Sequence, residues 1–426
     1  MRHSARNKIR NIGFVSTRLA GTDGVSLETA KWARVFEIEG HRCFHMAGEF
    51  DRPTERSFLV EQAHFNYPLV REISHACFST TTRKPSITKK IHEIKEALKN
   101  RLYEFIKTFH IHLLVVENAL AIPVNLPLGL ALTEAIAETG IPAIAHHHDF
   151  FWERKRFLLN AVPDYLAMAF PPNLPSIQHV VINSAADSSL SFRTGISATI
   201  IPNVMDFESP PRIDEYSSDI RQSLGLEDDE LLILQPTRVV RRKGIEHSIE
   251  LVRRLKQARI KAKLIISHAS GDEGYEYEKR LREYSSLMRV DTLFISDIIK
   301  PYRGKTHDGR KIYTPEDVYA HADLVTYPST VEGFGNAFLE AVYFRKLIVV
   351  NNYSVYATDI KPKGFKVIEL DDYVDSRAVR LTERILQNPA VAKEMVDHNY
   401  ELGGKYYSYS FLRRKLNALL SDYFGA

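Results

Sequence analysis

Short apolar runs alternate with amphipathic helical segments along most of this chain, and the alternation occurs in two successive series. The first series reads as strand 9–16, helix 25–39, strand 42–46, helix 88–109, strand 113–116, helix 126–138, strand 143–147 and strand 179–182, the last opening into a helix at 185. The second reads as strand 231–235, helix 244–258, strand 263–267, helix 275–288, strand 292–295, a short helix from 316, strand 324–327, helix 336–344 and strand 347–351. After Gly244 the apolar residues Ile245, Ile249, Val252 and Leu255 recur at helical spacing, as a helix packed on a sheet requires. Strands separated by helices pair in parallel, so the expected fold class is α/β with two doubly wound, Rossmann-like domains. Apolar periodicity stops in the Pro-containing stretch 209–216, which divides the chain into 1–205 and 206–405, followed by a helical segment 406–426. Doubly wound sheets bind ligands outside the carboxyl ends of their strands. Two such domains are therefore expected to face one another across a shared cleft.

Composition excludes several classes. The 426 residues carry 57 Lys+Arg against 53 Asp+Glu, a net charge of +4 that is too mild for a nucleic-acid surface, and no nucleic-acid partner is expected. The two cysteines, Cys43 and Cys77, make neither a disulfide framework nor a Cys-based zinc site. The most apolar stretch, 113–137, is interrupted by Glu117, Asn118, Pro123, Asn125, Pro127 and Glu134. A membrane span needs roughly 20 mostly apolar residues, so this stretch does not qualify. The basic segment 1–10 is not followed by the apolar core of a signal peptide. A reducing, cytoplasmic setting is the expectation. Helix 88–109 sets Lys89, Lys90, Lys95, Lys99, Arg101 and Lys107 opposite Ile91, Ile94, Leu98, Leu102 and Phe105. This pattern reads as a solvated face over a core stripe in preference to a peripheral membrane contact.

The chemistry concentrates in residues 327–340, where a strand ends at Tyr327, a loop carries Gly333 and Gly335, and a helix starts near Asn336. Glycines let backbone approach a ligand, and a helix start offers N–H groups to an anion. Glu332 lies in the loop and Glu340 a turn into the helix, and carboxylates suit a ligand rich in hydroxyls. Strand 231–235 likewise leads into a basic loop with Arg238, Arg241, Arg242 and Lys243 before Gly244.

Glu332 and Glu340, with seven residues between them around Gly-Phe-Gly-Asn, resemble the E-x7-E motif of retaining glycosyltransferases of the GT-B fold, family 4. Arg238 and Lys243 are similar to that family's R-x4-K-G stretch. The resemblance runs from Ile9 to about Phe424. It implies that Glu332 contacts the donor sugar, that Glu340 holds the ribose, and that the backbone of Phe334, Gly335, Asn336 and Ala337 faces the diphosphate. Arg238 and Lys243 would clamp that diphosphate, with Arg241 and Arg242 left to solvent.

The amino-terminal loop 16–25, with Gly21 and Gly24, lacks the G-x-G-x-x-G spacing of a dinucleotide site. It resembles the family's first loop, which implies that Gly24 lies against donor phosphate or acceptor. Three histidines, His146, His147 and His148, end strand 143–147, and strand alternation puts His147 on the opposite face from the other two, which argues against zinc. The resemblance implies that one of them hydrogen-bonds the donor sugar; His148, followed by Asp149, matches best, with His147 as the alternative. Phe150, Phe151 and Trp152 read either as an acceptor pocket or as core. The stretch 271–274 reads either as a cleft-side loop or as an exposed turn. Base contacts are expected near 296–299, while 300–311 matches no motif.

The expected activity is retaining transfer of a hexose from a UDP-, GDP- or ADP-sugar to a hydroxyl acceptor. The second domain would hold the donor and the first the acceptor. The resemblance implies that no metal and no cofactor are required, consistent with the absence of a D-x-D motif in a suitable loop. A GT-B epimerase or phosphorylase would share the architecture, and a non-catalytic sugar-nucleotide binder is the third reading.

Overall fold

The computed structural model describes residues 9–21, 23–270 and 274–425. Residues 271–273 of the loop 271–274, Thr22 of the amino-terminal loop and most of the basic segment 1–10 lie outside the described residues. The chain forms two units, Met1–Asn203 with Tyr409–Ala426, and Val204–Ser408. The divisions fall at 203/204 and 408/409, against the 205/206 and 405/406 expected from the sequence.

In the first unit seven strands form one parallel sheet: β1 (Asn11–Val15), β2 (Arg42–Ala47), β3 (Ser57–Leu59), β4 (Leu113–Glu117), β5 (Ala143–His147), β6 (Ile177–Val181) and β7 (Ala198–Ile200). Their order is β3-β2-β1-β4-β5-β6-β7. Strand alternation sorts the core: Val15, Leu114 and Val116 join the layer of helices Pro85–Thr108 and Leu126–Thr139, while Phe14 meets Phe36 of helix Gly24–Ile38. The final helix, Tyr409–Phe424, lies beside Gly24–Ile38. It is tied to the sheet by Tyr423, whose hydroxyl donates to Ala143 O at 2.6 Å and accepts from Gln178 N at 2.7 Å.

Lys89, Lys90, Lys95 and Lys99 of helix Pro85–Thr108 are matched by carboxylates. Lys95 pairs with Glu134 at 2.6 Å, and Lys99 with Glu134 and Glu138 at 3.0 and 3.1 Å. Among the described residues no helix is long and apolar enough to cross a membrane.

The second unit holds a six-stranded parallel sheet built from β8 (Leu231–Gln235), β9 (Ala262–Ile266), β10 (Thr292–Phe294), β13 (Leu324–Tyr327), β14 (Leu347–Asn351) and β15 (Ile368–Leu370), in the order β10-β9-β8-β13-β14-β15. The stretch without a motif contains a two-stranded hairpin, β11 (Gly304–Lys305) and β12 (Lys311–Ile312). Ion pairs pin it, Arg303 to Asp214 and Asp317 and Lys311 to Asp219. Beside it, Ile298 and Ile299 are buried.

Candidate functional site

In each sheet the strand order turns around the unit's first strand: β1 lies between β2 and β4, and β8 between β9 and β13. Loops leaving the carboxyl ends diverge at such a point and leave room for a ligand. In the second unit these loops carry Arg238 and Lys243, after β8, and Glu332, after β13.

Gly244 joins the turn Arg241–Lys243 to the helix Ile245–Gln257 with φ +58°. A Cβ here would lie 2.5 Å from Pro328 O, so only glycine lets the two loops touch. The contact delivers Lys243 to Glu332, and both side chains keep only 10% and 9% exposure. Arg242 donates to the other carboxylate oxygen at 3.0 Å and to Val331 O at 3.1 Å. The expectation that Arg242 is simply solvated is thus corrected: the turn aims two successive side chains at one carboxylate. Arg238 is exposed.

Burial alone would push the Glu332 carboxyl up, but the charges of Lys243 and Arg242 hold it below the usual range. Burial lowers Lys243, and Glu332 offsets part of that. On the loop after β9, burial and the charges of Lys243 and Arg238 push His268 down to about 4, which sets a neutral imidazole near two cations. No motif in the sequence singles out His268.

Gly335 caps the helix Asn336–Tyr343 at φ +123°, and a Cβ there would stand 2.3 Å from the Tyr353 hydroxyl. That hydroxyl donates to Phe334 O at 2.8 Å, which fixes the loop. Phe334 and Ala337 are buried and Asn336 is half-buried. No side chain caps this helix. One turn on, Glu340 accepts from the Tyr319 hydroxyl at 2.8 Å. The two glutamates therefore sit in different fields, one against two cations and one against a neutral phenol. Two lysine and arginine charges with a helix start suit an anion such as a diphosphate, and the carboxylates suit hydroxyls.

In the first unit Gly24 opens the helix Gly24–Ile38, and Asp23 caps it, accepting from Val25 N and Ser26 N at 3.1 Å each. Two N–H groups of that first turn are therefore occupied by the protein. The histidines at the end of β5 separate by face, as alternation requires. His147 turns to β6, its Nε2 2.9 Å from His179 Nδ1, and burial drives its pKa well down. His146 and His148 turn to Glu117 at the end of β4, with His146 Nδ1 at 2.9 Å and His148 Nε2 at 3.2 Å from the same oxygen.

Asn118, at φ +59°, clamps the next loop: its Oδ1 accepts from His148 N at 3.0 Å, and its Nδ2 donates to Asp149 Oδ1 at 2.9 Å. Asp149 also pairs with Arg154. Phe150 is core, fully buried and stacked on half-buried Trp152 at 4.5 Å.

Ligand atoms of Glu117, His146 and His148 lie within 4.8 Å of one another, the one such group among the described residues that could hold a metal ion. Both imidazoles approach one oxygen at hydrogen-bond length, which two N–H donors account for without an ion. Alternation alone could not show Glu117 beside these histidines, because it arrives from a neighbouring strand through the register Glu117↔His146. Its signal was present: a carboxylate that ends an all-apolar strand must find partners.

No family model matches the chain. It is 33% identical over 430 residues to a mannosylglucosylglycerate synthase of Thermotoga maritima, covering 93% of this chain and 96% of that one. A mannosylglucosylglycerate synthase of Petrotoga mobilis is 32% identical over 408 residues, 90% of this chain and 92% of that one. Among solved structures, a Rickettsia africae glycosyltransferase superposes with a TM-score of 0.67 at 14% identity, covering 97% and 98% of the two chains. Anabaena HepE, solved with UDP-glucose, superposes at 0.63 and 15% identity, covering 97% and 100%.

Proposed function

Because the chain belongs to the GT-B glycosyltransferases, as a homologue of mannosylglucosylglycerate synthases along nearly its whole length, we propose that it transfers a mannosyl group from a nucleoside-diphosphate mannose to a hydroxyl of a glucosylglycerate-type acceptor. The observation that carries the donor reading is the loop cluster of the second unit. Lys243 and Arg242 converge on Glu332, exposed Arg238 stands on the same loop, and the helix start at Asn336, without a side-chain cap, follows. The nucleotide sugar found on Anabaena HepE supports the same donor class.

In this reading Arg238, Lys243 and the backbone of Phe334, Gly335, Asn336 and Ala337 stabilise the leaving diphosphate, whose charge grows as the glycosidic bond breaks. Glu332 faces the sugar, where positive charge develops at the anomeric carbon. Glu340 holds the ribose. His148 offers a ring nitrogen to a substrate hydroxyl, with Asp149 next to it on the same loop and Gly24 at the start of the helix after β1. The acceptor oxygen attacks from the face that the diphosphate leaves. It forms the new glycosidic bond as the old one breaks, and its proton passes to a diphosphate oxygen. The anomeric configuration is retained, and no metal ion is needed because the cations do that work.

The test is turnover of UDP-, GDP- and ADP-linked mannose and glucose with glucosylglycerate, with NMR of the product's anomeric carbon. A new α-mannoside from an α-linked donor supports the reading. Hydrolysis or epimerisation of the donor without an acceptor product overturns it.

A further inference from the structure

One carboxylate and two histidines, Glu117, His146 and His148, cluster in the first unit, and the reaction described above uses only one of the three. Glu117 is 1% exposed, at the carboxyl end of a strand whose other residues, Leu113, Leu114, Val115 and Val116, are all apolar. A charge placed there is costly unless it is paired and hydrogen-bonded. Its Oε2 takes both His146 Nδ1 and His148 Nε2. His146 is immobilised in turn, fully buried and stacked on Trp32 at a centroid distance of 4.2 Å and 23°. Asn118, the next residue after Glu117, holds the His148 backbone. Ring and main chain of His148 are thus fixed from the end of one neighbouring strand, and the side chain retains 10% exposure.

An imidazole has two nitrogens, and the partner of one sets the role of the other. We propose that Glu117 is a positioning residue for His148: its carboxylate occupies Nε2, so that Nδ1 is the ring atom offered to substrate, and its charge keeps the ring able to donate from Nδ1. The inference rests on the reading that His148 meets a substrate hydroxyl, and it adds which atom does so and what keeps that atom a donor.

The charged groups facing His148 are consistent with this. Burial lowers its pKa, but the hydrogen bond and charge of Glu117, with the charges of Glu28 on helix Gly24–Ile38 and of Asp149, raise it above the ordinary histidine value overall. Of these three carboxylates Glu117 acts on the His148 ring through a hydrogen bond as well as its charge, while Glu28 and Asp149 act through charge. His146 is held below the ordinary value, first by burial, and stays neutral. A raised His148 pKa means that the donor form persists to higher pH than in an ordinary histidine and is lost as pH rises through the raised value.

The experiment compares Glu117→Gln, His148→Asn and the wild type in three readouts: thermal midpoint, the pH profile of kcat/KM, and long-range 15N–1H spectra of the histidine rings, with His148 assigned by its absence in His148→Asn. Gln keeps the size and can accept one hydrogen bond, but carries no charge. In Glu117→Gln the alkaline limb of kcat/KM should move to lower pH and kcat/KM at pH 8 should fall about tenfold, a change a merely structural role would not produce. The His148 ring should titrate earlier in the same variant, and its neutral form in the wild type should carry the proton on Nε2.

If His148→Asn retains full activity, the reading beneath the inference fails. If His148→Asn is inactive while folded Glu117→Gln keeps the wild-type profile and ring titration, the positioning role alone fails. A neutral His148 protonated on Nδ1 overturns it as well, and so does activity lost to a chelator and restored by zinc.

Discussion

Replacing Lys243 with Met removes the charge and keeps most of the aliphatic stem, so it isolates the ion pair with Glu332. Both side chains are about nine-tenths buried, so solvent screens the pair little. The gross attraction of two unit charges about 4 Å apart is about 4 kcal/mol at an effective dielectric of 20. Desolvation cancels much of it, and Arg242 still holds Glu332 at 3.0 Å after the change. A net loss of about 1–3 kcal/mol of folding stability remains, the range of a hydrogen bond to a charged group.

The pH dependence has a definite sign. Glu332 is depressed in the folded chain, so its pairing contributes stability above the ordinary carboxylate range, and that contribution disappears as pH falls through the folded value. The stability gap between Lys243→Met and wild type should therefore be full at pH 7 and shrink toward pH 3. Activity should fall further than stability suggests, with kcat/KM reduced more than tenfold, over about 1.4 kcal/mol of transition-state stabilisation. Urea melts at both pH values and steady-state kinetics measure these quantities. A folded Lys243→Met with unchanged kcat/KM would remove Lys243 from the diphosphate site. A stability gap that widens on acidification would refute the electrostatic account of the pair.

The two glutamates should separate kinetically. Glu332→Gln should lower kcat sharply while leaving affinity for free nucleoside diphosphate near wild type, and Glu340→Gln should raise KM and weaken the free nucleotide by a similar factor; calorimetry and kinetics on both variants decide it, and the reverse pattern would exchange their roles. Gly335→Ala places a methyl 2.3 Å from the Tyr353 hydroxyl at a φ that L residues avoid, so nucleotide binding should be lost with a stability cost of roughly 1–3 kcal/mol; calorimetric binding within twofold of wild type would contradict a loop held rigid by Tyr353. EDTA should leave most activity in place, and activity restored only by Mn²⁺ or Mg²⁺ would show that a metal shares the work assigned to the cations.

Hydrophobic periodicity is a local property, so the order of elements is legible from the chain alone: β5, β8, β13 and β14 begin and end where their apolar runs do, within a residue. The loops of the proposed donor site are legible in the same way, since Glu332, Glu340, Arg238 and Lys243 all follow strand ends. The three-residue edge strands β3, β7 and β15 are not read from the sequence, although β10, equally short and at an edge, is. Partnerships between side chains waited for the folded molecule. Arg242 joined Lys243 on Glu332, Tyr319 came to Glu340, and His268 settled near the cations, each across many residues of chain. Glu117 shows the reason most plainly. Its partners His146 and His148 lie 29 and 31 residues away and are brought to it by the parallel register of β4 and β5. A register is a property of paired strands, and no single strand's sequence contains it.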